Sequence, residues 1–128
     1  NIAQEVGRLI DAPPFPALPE IEEITRLASG MLRDALDSFM RSDSEAARTI
    51  PQRDDRVDEL HANVFRIVLT HMFEDPKRIS AGMDLIMVSR NLERIADLAT
   101  NIAEDVVFLV EGRMIKHHAE QRLDRPGE

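Results

Sequence analysis

Two pairs of carboxylates carry the most chemistry in this sequence. Asp54 and Asp58 stand four residues apart, and so do Glu93 and Asp97. A step of four in a helix stacks side chains on one face. Two such helices laid antiparallel bring the pairs together. Four neighbouring carboxylates repel unless a cation sits between them. Their hard oxygens suit iron(III), manganese, magnesium or calcium. Asn101, one turn past Asp97, offers a neutral oxygen. His61, three residues after Asp58, offers a nitrogen that turns the preference toward iron or zinc. The competing reading is an ordinary solvated helix face, where acids at this spacing are common.

The elements that must position these residues are helices. Around the ladder Glu93, Asp97, Asn101 runs an apolar seam of Leu85, Val88, Leu92, Ile95, Ala99, Ile102, Val106 and Leu109. Its alternating steps of three and four predict a helix packed along its length against others. On an ideal wheel Glu93 and Asp97 lie more than roughly 90° from the seam centre near Ile95 and Ala99. Asp54 and Asp58 also fall off their own core stripe. The expected site is therefore open and on the surface.

Taken in order, residues 1–11 read as the end of a helix. Residues 12–19 hold four prolines and form a connector. The first full helix is expected over 20–41, with Glu20, Glu22 and Glu23 near its positive end. Its stripe is Ile21, Ile24, Ala28, Met31, Ala35 and Phe39. Ser42 and Glu45 fit a capping box. A second helix follows over 44–73, with a kink or short gap at Pro51. Its stripe is Val57, Leu60, Val64, Ile67 and His71, with Val68 beside it. His71 reads as a partly buried, hydrogen-bonded histidine. Asp75 and Pro76 cap and open a third helix over 76–111, roughly 54 Å long at 1.5 Å per residue. Gly112 is the expected stop, and 113–128 a frayed polar tail. No strand pattern competes. The expected fold is all-α: an antiparallel three-helix bundle over 20–112, preceded by a helix stub.

One echo suggests a repeat. Asn1-Ile2-Ala3-Gln4-Glu5-Val6 parallels Asn101-Ile102-Ala103-Glu104-Asp105-Val106. The chain then opens in the tail of an earlier copy of the unit it later contains whole. It begins with Asn rather than Met, so the natural protein is expected to start earlier.

Composition removes several classes. The chain has 128 residues, 43% hydrophobic and 31% charged, which fits one globular domain. It has no Cys, so disulfides, zinc–thiolate sites and thiol catalysis are absent. Five Phe are its only aromatics apart from histidine, which disfavours a base- or sugar-stacking site. A net charge of −8 without a dense Lys/Arg cluster disfavours nucleic acid and anionic lipid. No apolar run is long enough to span a bilayer. The glycines are scattered and form no phosphate loop. A di-iron oxidase wants Glu-x-x-His on two helices, and only Asp58-Glu59-Leu60-His61 approximates it.

Several stretches together resemble the PhoU family of phosphate-uptake regulators. They are Arg53-Asp54-Asp55-Arg56-Val57-Asp58, Phe73-Glu74-Asp75-Pro76, Asn91-Leu92-Glu93-Arg94-Ile95-Ala96-Asp97, Thr100-Asn101-Ile102-Ala103-Glu104 and Val110-Glu111-Gly112. The likeness runs from about Leu18 to His117. It implies two tandem three-helix bundles, of which this chain holds the second. It also implies a surface iron or zinc cluster on Asp54/Asp58 and Glu93/Asp97. The implied role is a cytoplasmic negative regulator. Such a protein links the ATPase of the phosphate ABC importer to a membrane sensor histidine kinase, without catalysis or membrane insertion. A homodimer is compatible with that role. Leu98 stands where the family often has His, His61 where an aromatic is common, Ala96 where Gly is common, and Pro51 is unusual. The alternative reading is a metal-dependent carboxylate enzyme of the helical-bundle type, and a third is a structural unit with no ligand.

Overall fold

The computed structural model describes residues 15–123. Helix α1 is Pro19–Arg41, α2 is Ser44–Arg48, α3 is Asp54–Glu74 and α4 is Ile79–Leu123. Short 3₁₀ turns, Pro51–Arg53 and Pro76–Arg78, precede α3 and α4. There is no strand among the described residues. Helices α1, α3 and α4 form the expected three-helix bundle, and the short α2 packs on α1 and α4. The expected helix over 1–11 and most of the proline-rich connector lie outside the described residues.

Helix α1 starts at Pro19, whose missing N–H leaves no donor unsatisfied at a first helical position. It ends at Ser42, which adopts the left-handed conformation with φ 52° and ψ 41°. The Ser42 N–H donates to the Phe39 carbonyl at 3.2 Å and the Asp43 N–H to Ser38 at 2.9 Å, closing the helix end. Ser42 therefore does not open the next helix as the capping-box reading expected. Asp43, with extended backbone, takes that place, and its Oδ1 accepts from the Ala46 N–H at 3.0 Å.

Pro51 produces a gap, as expected. Helix α2 stops after Arg48, Pro51 opens a 3₁₀ turn, and fully buried Ile50 anchors the break. At the next corner the Asp75 side chain accepts from the Lys77 N–H at 3.0 Å, ahead of Pro76. His71 is partly buried, with Nδ1 3.2 Å from Arg78 Nη1 and the Phe15 ring edge-on at 5.1 Å.

The core is built from Ile24, Ala28, Met31 and Ala35 of α1, Val57, Leu60, Val64 and Val68 of α3, and Ala96, Ala99, Ala103 and Val106 of α4, with Ala47 and Ile50 between. Phe39, expected in the stripe, is instead 55% exposed. The buried line takes Ser38 at that level, its hydroxyl satisfied by the Ala35 carbonyl at 2.8 Å.

Helix α4 differs from expectation in two ways. Its buried residues are Ala81, Gly82, Ser89, Ala96, Ala99, Ala103 and Val106, a line rotated from the large apolar seam, and Gly82 and Ser89 on it meet Met72, Val68 and His61 of α3. Small residues there let the other helices approach closely. A Cβ on Gly82 would stand 2.8 Å from Met72 and 3.0 Å from Val68. The helix also runs through Gly112 to Leu123, 45 residues in all, about 68 Å. A glycine stops a helix only where a left-handed turn or capping contact replaces the next turn. Here good helix formers follow, and residues 112–123 continue as an exposed arm.

Candidate functional site

The structure brings the two carboxylate pairs together along the groove between α3 and α4. Asp54 is the first residue of α3, set there by the 3₁₀ turn after Pro51. Asp58 follows one turn later, and Glu93 and Asp97 face them from α4. Asp54 and Glu93 are half-buried, whereas Asp58 and Asp97 are exposed. The expectation that all four point away from the core is thus corrected for two of them. The rotation of α4 toward Ser89 and Ala96 turns Glu93 to the groove floor.

The electrostatics are those of crowded like charges. Burial, followed by Asp58, Asp97, Glu93 and Asp55, pushes the Asp54 carboxyl up to about 6. Its Oδ1 is cut off from solvent and has no hydrogen-bond partner among the described residues. Glu93 is also raised, first by burial and then by Asp58 and Asp97, with His61 opposing. The arginines beside these acids do not relieve them. Arg53 pairs with Asp34 at 2.7 Å, and Arg56 grips Glu23 through two bonds of 3.1 and 3.2 Å. Arg53 thus ties the 3₁₀ turn, and Arg56 ties α3, to α1, and both leave the groove negative.

His61 joins the group through a contact that sequence reading missed. Its Nδ1 lies 2.7 Å from the hydroxyl of Ser89, which is fully buried, and its Nε2 lies 3.9 Å from Glu93 Oε1. A signal for Ser89 was present, because it extends the ladder backward by one step of four: Ser89, Glu93, Asp97, Asn101. Asn101 itself stays exposed one turn beyond Asp97.

The donor set fits a small, highly charged cation, and the orphaned Asp54 oxygen fits it too. The side chains are not gathered around one point: among the described residues no three Asp, Glu or His converge enough to hold a metal ion. A carboxylate enzyme would want these groups buried beside a substrate cavity. The concavities of the described surface include one lined by Phe39, Ser42, Val106, Leu109, Val110 and Arg113, and others about Ala47, Arg48 and Met114.

A known family model matches this chain. The PhoU domain model aligns with residues 21–106, most of the bundle. The chain belongs to the PhoU domain family. Relatives in this family carry the description phosphate-specific transport system accessory protein PhoU homolog. The one from Caulobacter vibrioides is 42% identical over 113 residues, covering 88% of this chain and 49% of the relative. That from Zymomonas mobilis is 41% identical over 118 residues, 90% of this chain and 48% of the relative. That from Pseudomonas aeruginosa is 40% identical over 98 residues, 77% and 40% respectively. The chain thus spans about half the length of the curated PhoU relatives it matches. No helix of the described residues is long and apolar enough to cross a membrane.

Proposed function

We propose that this chain is part of a cytoplasmic regulator of phosphate uptake. It acts by contact rather than by catalysis. The observation that carries the reading is the family match together with relatives described as phosphate-transport accessory proteins. The finer reading is that the protein connects the ATPase of a phosphate ABC importer to a membrane sensor histidine kinase. It holds the starvation response off when phosphate is plentiful. Docking that favours one conformation of a partner is enough to shift that partner's equilibrium. The expected outcome of deleting the gene is higher expression from a phosphate-starvation reporter in phosphate-rich medium. An unchanged reporter would overturn the regulatory reading.

The α3/α4 groove is proposed as a cation site of this regulator. Asp54, Asp58, Glu93 and Asp97 would hold the ion, with His61 and Asn101 at the margin. The ion, iron or zinc, supplies positive charge that the groove lacks and ties α3 to α4. Support comes from the raised Asp54 and Glu93 carboxyls and the unpartnered Asp54 oxygen. Elemental analysis of protein purified without a metal-affinity tag is the test. Bound metal is expected in the wild type and not in an Asp58→Ala/Asp97→Ala variant; equal content in both would sink the site.

A further inference from the structure

Thr25, Ser38, Thr49 and Thr70 turn their hydroxyls back onto carbonyls three or four residues earlier in the chain. That local bond is the ordinary way a helix satisfies a hydroxyl. Ser89 does something else. It is fully buried and reaches across to α3, where its Oγ lies 2.7 Å from His61 Nδ1. Among the buried residues of α4, Ser89 is the polar one; the others are alanine, glycine and valine. Alanine would serve close approach equally well at that level, so the hydroxyl is there for its partner. The consequence falls on the other ring nitrogen. A bond at Nδ1 fixes the rotation of the imidazole and so directs Nε2. Nε2 lies 3.9 Å from Glu93 Oε1, too far for a hydrogen bond. It is held beside the carboxylates without being engaged by one. His61 follows Asp58 by one turn of α3, and Glu93 precedes Asp97 by one turn of α4. The imidazole, 23% exposed, thus stands at one end of the acidic groove.

We propose that Ser89 positions His61 so that Nε2 is a nitrogen ligand of the groove's cation, and that this nitrogen selects zinc-like ions over oxygen-seeking ions such as manganese. The inference rests on the cation-site reading of the groove and adds what decides the identity of the ion. Carboxylates by themselves suit magnesium, calcium and manganese, whereas imidazole adds affinity for zinc and iron. A metal-binding histidine characteristically gives its second N–H to a fixed acceptor, which sets the tautomer and the ring orientation. A serine hydroxyl accepts as well as donates. Ser89 Oγ can therefore take the Nδ1 proton, which leaves the Nε2 lone pair facing the acids. Ser89 touches no ion in this scheme and is a positioning residue. Without its hydroxyl the ring rotates freely, so the share of affinity that the nitrogen supplies is lost and the share that the oxygens supply stays.

Zinc and manganese titrations of the 128-residue chain test this, zinc by competition with a chromophoric chelator and manganese by electron paramagnetic resonance. Ser89→Ala and His61→Phe should each weaken zinc about ten- to a hundredfold and manganese by no more than about threefold. A contact that merely held α3 to α4 would weaken both ions alike and leave their ratio intact. In nitrogen-15 spectra zinc should shift the Nε2 resonance of His61 in the wild type. A zinc-to-manganese ratio unchanged in either variant, or an Nε2 resonance that zinc does not move, would overturn the inference and leave the carboxylate site standing. A wild-type chain that binds neither ion would overturn both. Asp58→Ala/Asp97→Ala should lose both ions together, which separates the carboxylates' part from that of the nitrogen.

Discussion

Asp54 is where local charge bears most directly on stability. Its carboxyl titrates near 6 in the folded chain, against an ordinary value of 3.8. The folded state therefore holds that proton more tightly than the unfolded chain does. This group's penalty is absent below about pH 4 and grows as pH rises through the folded value. In metal-free protein Asp54→Asn should stabilise the fold at pH 7 by about 1 kcal/mol, after discounting the shift for solvent screening at a half-open groove. The gain over wild type should vanish near pH 4, which urea midpoints measured across that range will show. Added zinc or iron should reverse the comparison, raising the melting temperature of wild type more than that of Asp54→Asn. Ser42 offers a second test. A left-handed conformation costs a side-chain-bearing residue about 1 kcal/mol relative to glycine. Ser42→Gly should therefore raise stability by about 0.5–1 kcal/mol in thermal or urea unfolding, and a loss of stability would refute the account of that corner.

At the scale of elements, the contact between α3 and α4 depends on small residues. Gly82→Val would drive a branched side chain into Met72 and Val68. Overpacking there should cost about 2–3 kcal/mol. Coupling it to Met72→Ala should recover part of the loss, because the nearest obstructing atoms belong to Met72. Both effects are read from urea unfolding. The helix breaks were legible because each rests on local chemistry: Pro51, the Asp75–Pro76 pair, and the capping acids. The end of α4 was not legible. Gly112 permits a stop but does not impose one, and the arm beyond it forms no buried contact that sequence periodicity could register.

For the whole molecule, stability should reside between α1 and about Glu111 of α4, since every residue from Gly112 to Leu123 is exposed. Truncation after Gly112 should shift the melting temperature by no more than about 2 °C, because fully exposed segments contribute little. The helical circular-dichroism signal should fall by the arm's share. A large drop in melting temperature would show that the arm packs on something.

The sequence by itself determined the three long helices, their antiparallel order, the gap at Pro51 and the two acid pairs. These depend on spacing and on residues acting over a turn or two. Only the tertiary structure decided which side of α4 faces α3. That choice follows from where small residues let helices come closest, and a hydrophobic wheel, which weights large side chains, points instead to Val88, Ile95 and Leu109. The rotation buries Ser89 and turns Glu93 to the groove floor. It sets Asp54 among three other carboxylates, and it leaves Val88 and Leu109 of the seam exposed.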